Sequence, residues 1–177
     1  MSELLTLFYR MPEPLVGRVF LLLGLGFCFL WRQYGQRRWF RRSCWLILAA
    51  WTAVTLHTTV LARFPMDQRM VSLIPFRFFW EPLMGGSYEL RRAAFMNVAL
   101  FFPAGLLTAA LLPRHWSRGR RLALTAGLFL GFSGLIECSQ YLWVLGEVEV
   151  DDLLCNTLGA ALGACPILWE EPLFGPK

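Results

Sequence analysis

The residues with the most chemistry to offer lie between Ser133 and Gly163. Glu137 stands alone as a charge inside a long apolar segment, and four acids follow within six residues: Glu147, Glu149, Asp151 and Asp152. Charged groups are expensive in a membrane, so those found there pair, protonate or carry function. A buried Glu137 is suited to act as an acid or base on a membrane-embedded substrate. Glu149, Asp151 and Asp152 supply the oxygen ligands a hard divalent cation prefers. The same acids are suited to a cationic group, or to pairing with Arg63, Arg69, Arg77, Arg91 or Arg92. Each has a plainer use as well. Asp151 and Asp152 open an apolar segment, where they would cap a helix and meet the positive end of its dipole. Glu137 could simply bond Gln140, Asn97 or an arginine.

Spacing groups these residues. Asp152, Asn156, Gly159 and Gly163 recur at i, i+4, i+7 and i+11 and therefore line one helical face. Ser133, Glu137 and Gln140 share a face of the preceding segment, and a short hairpin brings the two faces together. Asn97, a turn into an earlier apolar segment, is placed to join them. Gly159-x-x-x-Gly163 allows close helix approach. The chain contains no Ser-His-Asp order, HExxH, P-loop or GxGxxG, so no named enzyme chemistry is specified.

The elements that must position this constellation are membrane helices. The 177 residues are 56% apolar and only 16% charged, and long runs nearly free of charge are the mark of membrane spans. Five spans are expected, near 15–33, 44–62, 93–112, 122–145 and 153–169, in a single membrane domain. Pro103 should kink the third span and free a carbonyl, with Gly105 just after it. Of the 17 cationic residues, 16 are Arg. Arg32, Arg37, Arg38, Arg41 and Arg42 form one acid-free cluster, and Arg114, Arg118, Arg120 and Arg121 another. The positive-inside rule places both in the cytoplasm, with the N-terminus outside and the C-terminus inside. These arginines punctuate apolar spans, so nucleic acid is not an expected partner.

The connection 63–92 is the longest, and SLIPFRFFW (72–80) within it is too short to span. It fits an interfacial or re-entrant segment. His57 closes the second span among several Thr residues; a histidine bonded to a neighbouring helix or near the interface is expected over a proton carrier. Seven of the eight Trp fall near span ends, as an aromatic belt does. The five Cys are scattered, which argues against disulfides and a thiolate metal site. The N-terminal region lacks a basic segment and a small-residue cleavage site, so a cleaved signal peptide is not expected.

Four blocks of residues, SLIPF (72–76), NVALFFPAG (97–105), SGLIECSQ (133–140) and VEVDDLLCNTLGAALG (148–163), resemble the VanZ-like family of small bacterial membrane proteins. The resemblance covers a little over half the chain and implies a helical integral membrane protein. The family's founding member is associated with resistance to the glycopeptide teicoplanin. The family's polar and small positions fall on Asn97, Pro103, Gly105, Glu137, Gln140, Asp151, Asp152, Asn156 and Gly159. Many members carry Asp at the place of Glu149, and an Arg just before the acidic run, where this chain has Gly146 and Glu147.

The resulting expectation is an all-α bundle of about five transmembrane helices in the bacterial cytoplasmic membrane. Asn97, Glu137, Gln140, Asp152 and Asn156 would bind a lipid-linked cell-wall precursor or another amphiphile at the outer ends of helices three to five. Pro103, Gly105, Gly159 and Gly163 would shape the packing. No cofactor is expected beyond a divalent cation at Glu149, Asp151 and Asp152. The alternatives are a membrane enzyme with Glu137 as acid or base and Asp151 and Asp152 as cation ligands, or a small transporter.

Overall fold

The computed structural model describes residues 12–85 and 88–170. The N-terminal lead before Pro12, Gly86, and the tail bearing Glu171 and Lys177 lie outside the described residues. Its helices are α1 (Glu13–Tyr34), α2 (Arg38–Leu56), α3 (Arg77–Leu83), α4 (Glu89–Leu111), α5 (Arg118–Trp143) and α6 (Val150–Glu170). A π-helical turn (His57–Leu61) prolongs α2, and two short strands, β1 (Met70–Ser72) and β2 (Glu147–Glu149), complete the described elements. Five helices are long and apolar enough to cross a membrane: α1, α2 with its π turn, α4, α5 and α6. The chain is an all-α membrane bundle, and its spans begin and end close to the expected positions.

Side-chain placement follows the same logic. Leu22, Leu46 and Leu135 are about two-thirds exposed or more, whereas Arg121, Ser133 and Gln140 are almost wholly buried and hydrogen-bonded. Such an arrangement suits hydrocarbon outside and hydrogen-bonding partners within. Local signals explain the ends. Pro14 sits in the first turn of α1, where its fixed φ and missing amide cost nothing. Ser117 caps α5 by accepting from the Arg120 amide at 3.3 Å.

α4 is the central helix and packs against each of the other four spanning helices. Its closest partner is α6, and glycines are the reason. A Cβ on Gly105 would collide with the Ala160 backbone, one on Gly159 with the Val98 carbonyl, and one on Gly163 with the Phe102 carbonyl. Close backbone approach of this kind substitutes van der Waals contact for the hydrophobic drive that lipid removes. Pro103 does not interrupt α4, which runs through it as one helix. The proline ring removes the amide that would have bonded the Ala99 carbonyl. The next carbonyl, of Leu100, accepts the Trp51 indole N–H at 2.8 Å.

The bundle has two chemically distinct ends. At one, Arg41 Nη2 donates to the Leu111 carbonyl at 2.7 Å and Arg121 Nη2 to the Ala109 carbonyl at 2.6 Å. Both arginines thereby meet the last carbonyls of α4, where a positive charge is favoured. Arg114 stacks over Trp31 at 4.1 Å at the same end. At the other end the two acid-containing connections meet. β1 pairs in parallel with β2, with Met70 opposite Glu147 and Ser72 opposite Glu149. The Met66 amide also donates to the Val144 carbonyl at 2.7 Å. From Ser72 the chain turns at Pro75–Phe76 into α3, which leaves Leu73, Ile74, Phe79, Trp80 and Leu83 exposed. All but Leu83 of these exposed apolar side chains lie in the 72–80 stretch that the sequence marks as apolar yet too short to span.

Candidate functional site

At the acidic end, α2, α4, α5 and α6 enclose a cavity of about 360 Å³. That is the lower part of the range for small-molecule pockets. Asn97, Glu137, Gln140, Asp152 and Asn156 all stand in its wall, contributed by three helices. Leu100, Phe101 and Ile136 form its apolar side.

α6 supplies Asp152 and Asn156 one turn apart. Asp152 Oδ1 accepts from Asn97 Nδ2 on α4 at 2.6 Å, and Asn156 Nδ2 donates to Ser133 Oγ on α5 at 2.9 Å. Glu137 on α5 accepts the backbone N–H of Glu149 through Oε2 at 3.2 Å, which ties the cavity floor to β2. Gln140, one turn on, donates from Nε2 to the Thr59 carbonyl at 3.0 Å. The polar faces of α5 and α6 therefore do meet, and Asn97 joins them.

The remaining wall comes from the π turn and the two residues that follow it. Its wider ring closes with the Ala62 amide on the His57 carbonyl at 2.7 Å, and such insertions are frequent at functional sites. Thr58, Thr59, Ala62 and Arg63 are presented to the cavity, while His57 is left exposed. The Thr58 and Thr59 hydroxyls bond back to the Thr55 carbonyl at 3.0 and 2.8 Å, the usual accommodation of Thr in a membrane helix. Arg63 is the cation that acts electrostatically on both Glu137 and Asp152. Its guanidinium lies over Gly146, where a Cβ would come within 2.6 Å of Nη1. A glycine before the acidic run thus makes room for an arginine that arrives from a different segment. Thr58 and Thr59 are polar wall residues that spacing alone does not single out, their hint being the Thr-rich end of the second span, and Arg63 is one of the five arginines expected within reach of the acids.

The three acids considered for a cation go separate ways. Glu149 Oε1 binds Arg77 Nη1 at 3.1 Å, and the same guanidinium holds Glu147 at 2.9 Å and Glu81 at 2.8 Å. Asp151 turns away from the cavity and accepts the backbone amides of Phe76 at 2.5 Å and Phe78 at 3.3 Å, at the head of α3. Asp152 stays in the cavity. Among the described residues, no group of three His, Cys, Asp or Glu side chains converges to hold a metal. Burial first, then the charges of Asp152 and Glu147, push the Glu149 carboxyl up to about 7 against the opposing pull of Arg77.

An apolar groove of about 460 Å³ runs between α1, α2 and α4. Trp51 lines the groove and Leu100 lines the cavity, so their hydrogen bond marks the place where the two adjoin.

The VanZ/LLP1 family model matches residues 44–169, a stretch that begins in α2 and takes in every wall of the cavity. The match therefore reaches into the second span, beyond the four blocks that carry the resemblance in the sequence. No curated protein and no solved structure matches the chain. On a match over well more than half its length, this chain belongs to the VanZ/LLP1 family.

Proposed function

We propose that this multi-pass membrane protein acts at the cell envelope by holding a lipid-linked or amphiphilic ligand in the cavity between α2, α4, α5 and α6. The observation that carries the reading is the convergence of five polar side chains from three helices opposite an apolar wall, in a space large enough for a head group. Polar groups gathered around such a cavity inside a membrane bundle are a binding-site signature. The neighbouring apolar groove gives an acyl tail of the same ligand a path along α4. Both acid-free Arg clusters lie at the opposite end, so the positive-inside rule supports a cavity that faces out of the cytoplasm. A bacterial cytoplasmic membrane with the N-terminus outside fits that orientation.

Filling the cavity tests the reading. Ala62→Phe adds a ring to the wall beside Arg63. Native mass spectrometry of the protein released from detergent should show an amphiphile retained by the wild type and lost from a folded Ala62→Phe variant. Equal retention in both would refute binding in this cavity.

A further inference from the structure

The cavity wall is rich in acceptors and poor in donors. Gln140 is 1% exposed, and its nitrogen must face the Thr59 carbonyl, which can only accept. Its Oε1 is therefore turned elsewhere, and among the described residues it accepts from no group. Asn156, 5% exposed, spends its nitrogen on Ser133, and its Oδ1 likewise accepts from no described group. Glu137 and Asp152 each have one oxygen engaged, by the Glu149 amide and by Asn97. The threonine hydroxyls are committed to Thr55. Among the described residues, Arg63 is the one cationic side chain in the wall. Buried acceptors without donors are costly, and carboxylates more so.

We infer that the cavity is built for a zwitterionic head group of the aminophospholipid type: a primary ammonium donates to Glu137, Asp152 and the amide oxygens, and its phosphate meets Arg63. The inference rests on the amphiphile reading above and specifies its head. An ammonium carries three N–H donors on one compact cation, which suits two half-used carboxylates and a neighbouring amide oxygen. A quaternary ammonium has the charge but no donor. A glycerol head has donors but no charge. Arg63, whose charge acts on both carboxylates, offers the phosphate a cation in the same wall.

Short-chain phosphatidylethanolamine, phosphatidylcholine and phosphatidylglycerol are titrated against the purified full chain in detergent, with bound lipid read by native mass spectrometry. The ethanolamine lipid should bind about tenfold more tightly than either of the others. Glu137→Gln and Asp152→Asn should each bring it down to the choline level, and Arg63→Gln should weaken all three alike. O-phosphoethanolamine distinguishes the source of the chemistry: failure to compete marks a membrane lipid, and competition at similar concentration marks a soluble phosphoamine. Equal binding of the three lipids to the wild type overturns the head-group assignment and leaves the amphiphile reading standing. That comparison uses no variant and does not depend on one folding. Failure of the wild type to retain any amphiphile overturns both.

Discussion

Asp151→Asn removes the carboxylate that anchors the connection at the head of α3, and its cost can be worked from the geometry. Phe76 sits at φ 62°, ψ 28°, a left-handed conformation that costs a non-glycine residue about 1–2 kcal/mol. Asp151, only 5% exposed, offsets this by accepting the Phe76 amide through Oδ1 at 2.5 Å and the Phe78 amide through Oδ2 at 3.3 Å. Asparagine keeps one oxygen but turns an amino group toward the second N–H. The short bond loses its charge assistance and the long one is lost. A hydrogen bond to a charged group contributes about 1.5–3 kcal/mol against about 1 for a neutral pair, so the deficit is about 2–3 kcal/mol. At about 1.4 kcal/mol per decade, residues 72–83 should open about 30- to 150-fold more often. Hydrogen-exchange mass spectrometry reads this directly, as faster exchange confined to peptides over 72–83 while α4 stays protected. Phe76→Gly in the same background relieves the left-handed strain and should recover about 1 kcal/mol. Unchanged exchange at 72–83, or an equal rise along α4, would refute the assignment of Asp151 as an anchor.

Three further outcomes follow from the same structure. Gly159→Ala forces a methyl against the Val98 carbonyl and should lower stability by about 1–3 kcal/mol, read as a lower thermal midpoint in detergent; an unchanged midpoint contradicts the close α4–α6 approach. Glu149 has its folded value raised from about 4.5 to about 7, so the folded state holds the proton more tightly. Its contribution is present below pH 4.5, falls as pH rises through that window, and is gone above about 7. The midpoint should decline between these values in the wild type, and the decline should shrink in Glu149→Gln; identical pH profiles count against it. Val148→Cys in a background without other cysteines should react with an impermeant maleimide in intact cells. Labelling that requires permeabilisation would put the acidic end in the cytoplasm.

What the sequence makes legible, and what it hides, differs by the range of the interaction. Hydropathy reads the five spans because each is a local, continuous property of twenty or so residues. The face of α6 from Asp152 to Gly163 is legible for the same reason, since 3.6-residue periodicity places those side chains before any partner is known. Glu137 and Asn97 stand out because a charge or amide in an apolar run is conspicuous. The strands β1 and β2 are not legible: three residues carry no periodicity, and parallel partners more than seventy positions apart leave no turn signal. The threonines are hidden by the π turn, whose extra residue shifts the face that α-helical spacing would assign, and Arg63 is legible only as one of five arginines within reach of the acids. The acids at 147–152 read as one cluster because they are close in sequence. Strand pairing and the helix start then send Glu149 to Arg77, Asp151 to the head of α3, and Asp152 into the cavity.

The partnership of α4 with α6 also bears on how the protein is made. α4 leaves the ribosome well before α6, and β1 well before β2, so the hollows beside Gly105 and the unpaired edge of β1 must wait through the synthesis of α5. During that interval α4 can dock on α1 and α2, but its glycine-fitted face stays open to lipid or to the insertion machinery. Completion of the acidic end is therefore a late event in biogenesis. A chain interrupted before Glu147 has no means of assembling the cavity, whatever it inserts, and exposes the surfaces by which membrane quality control could recognise it as unfinished.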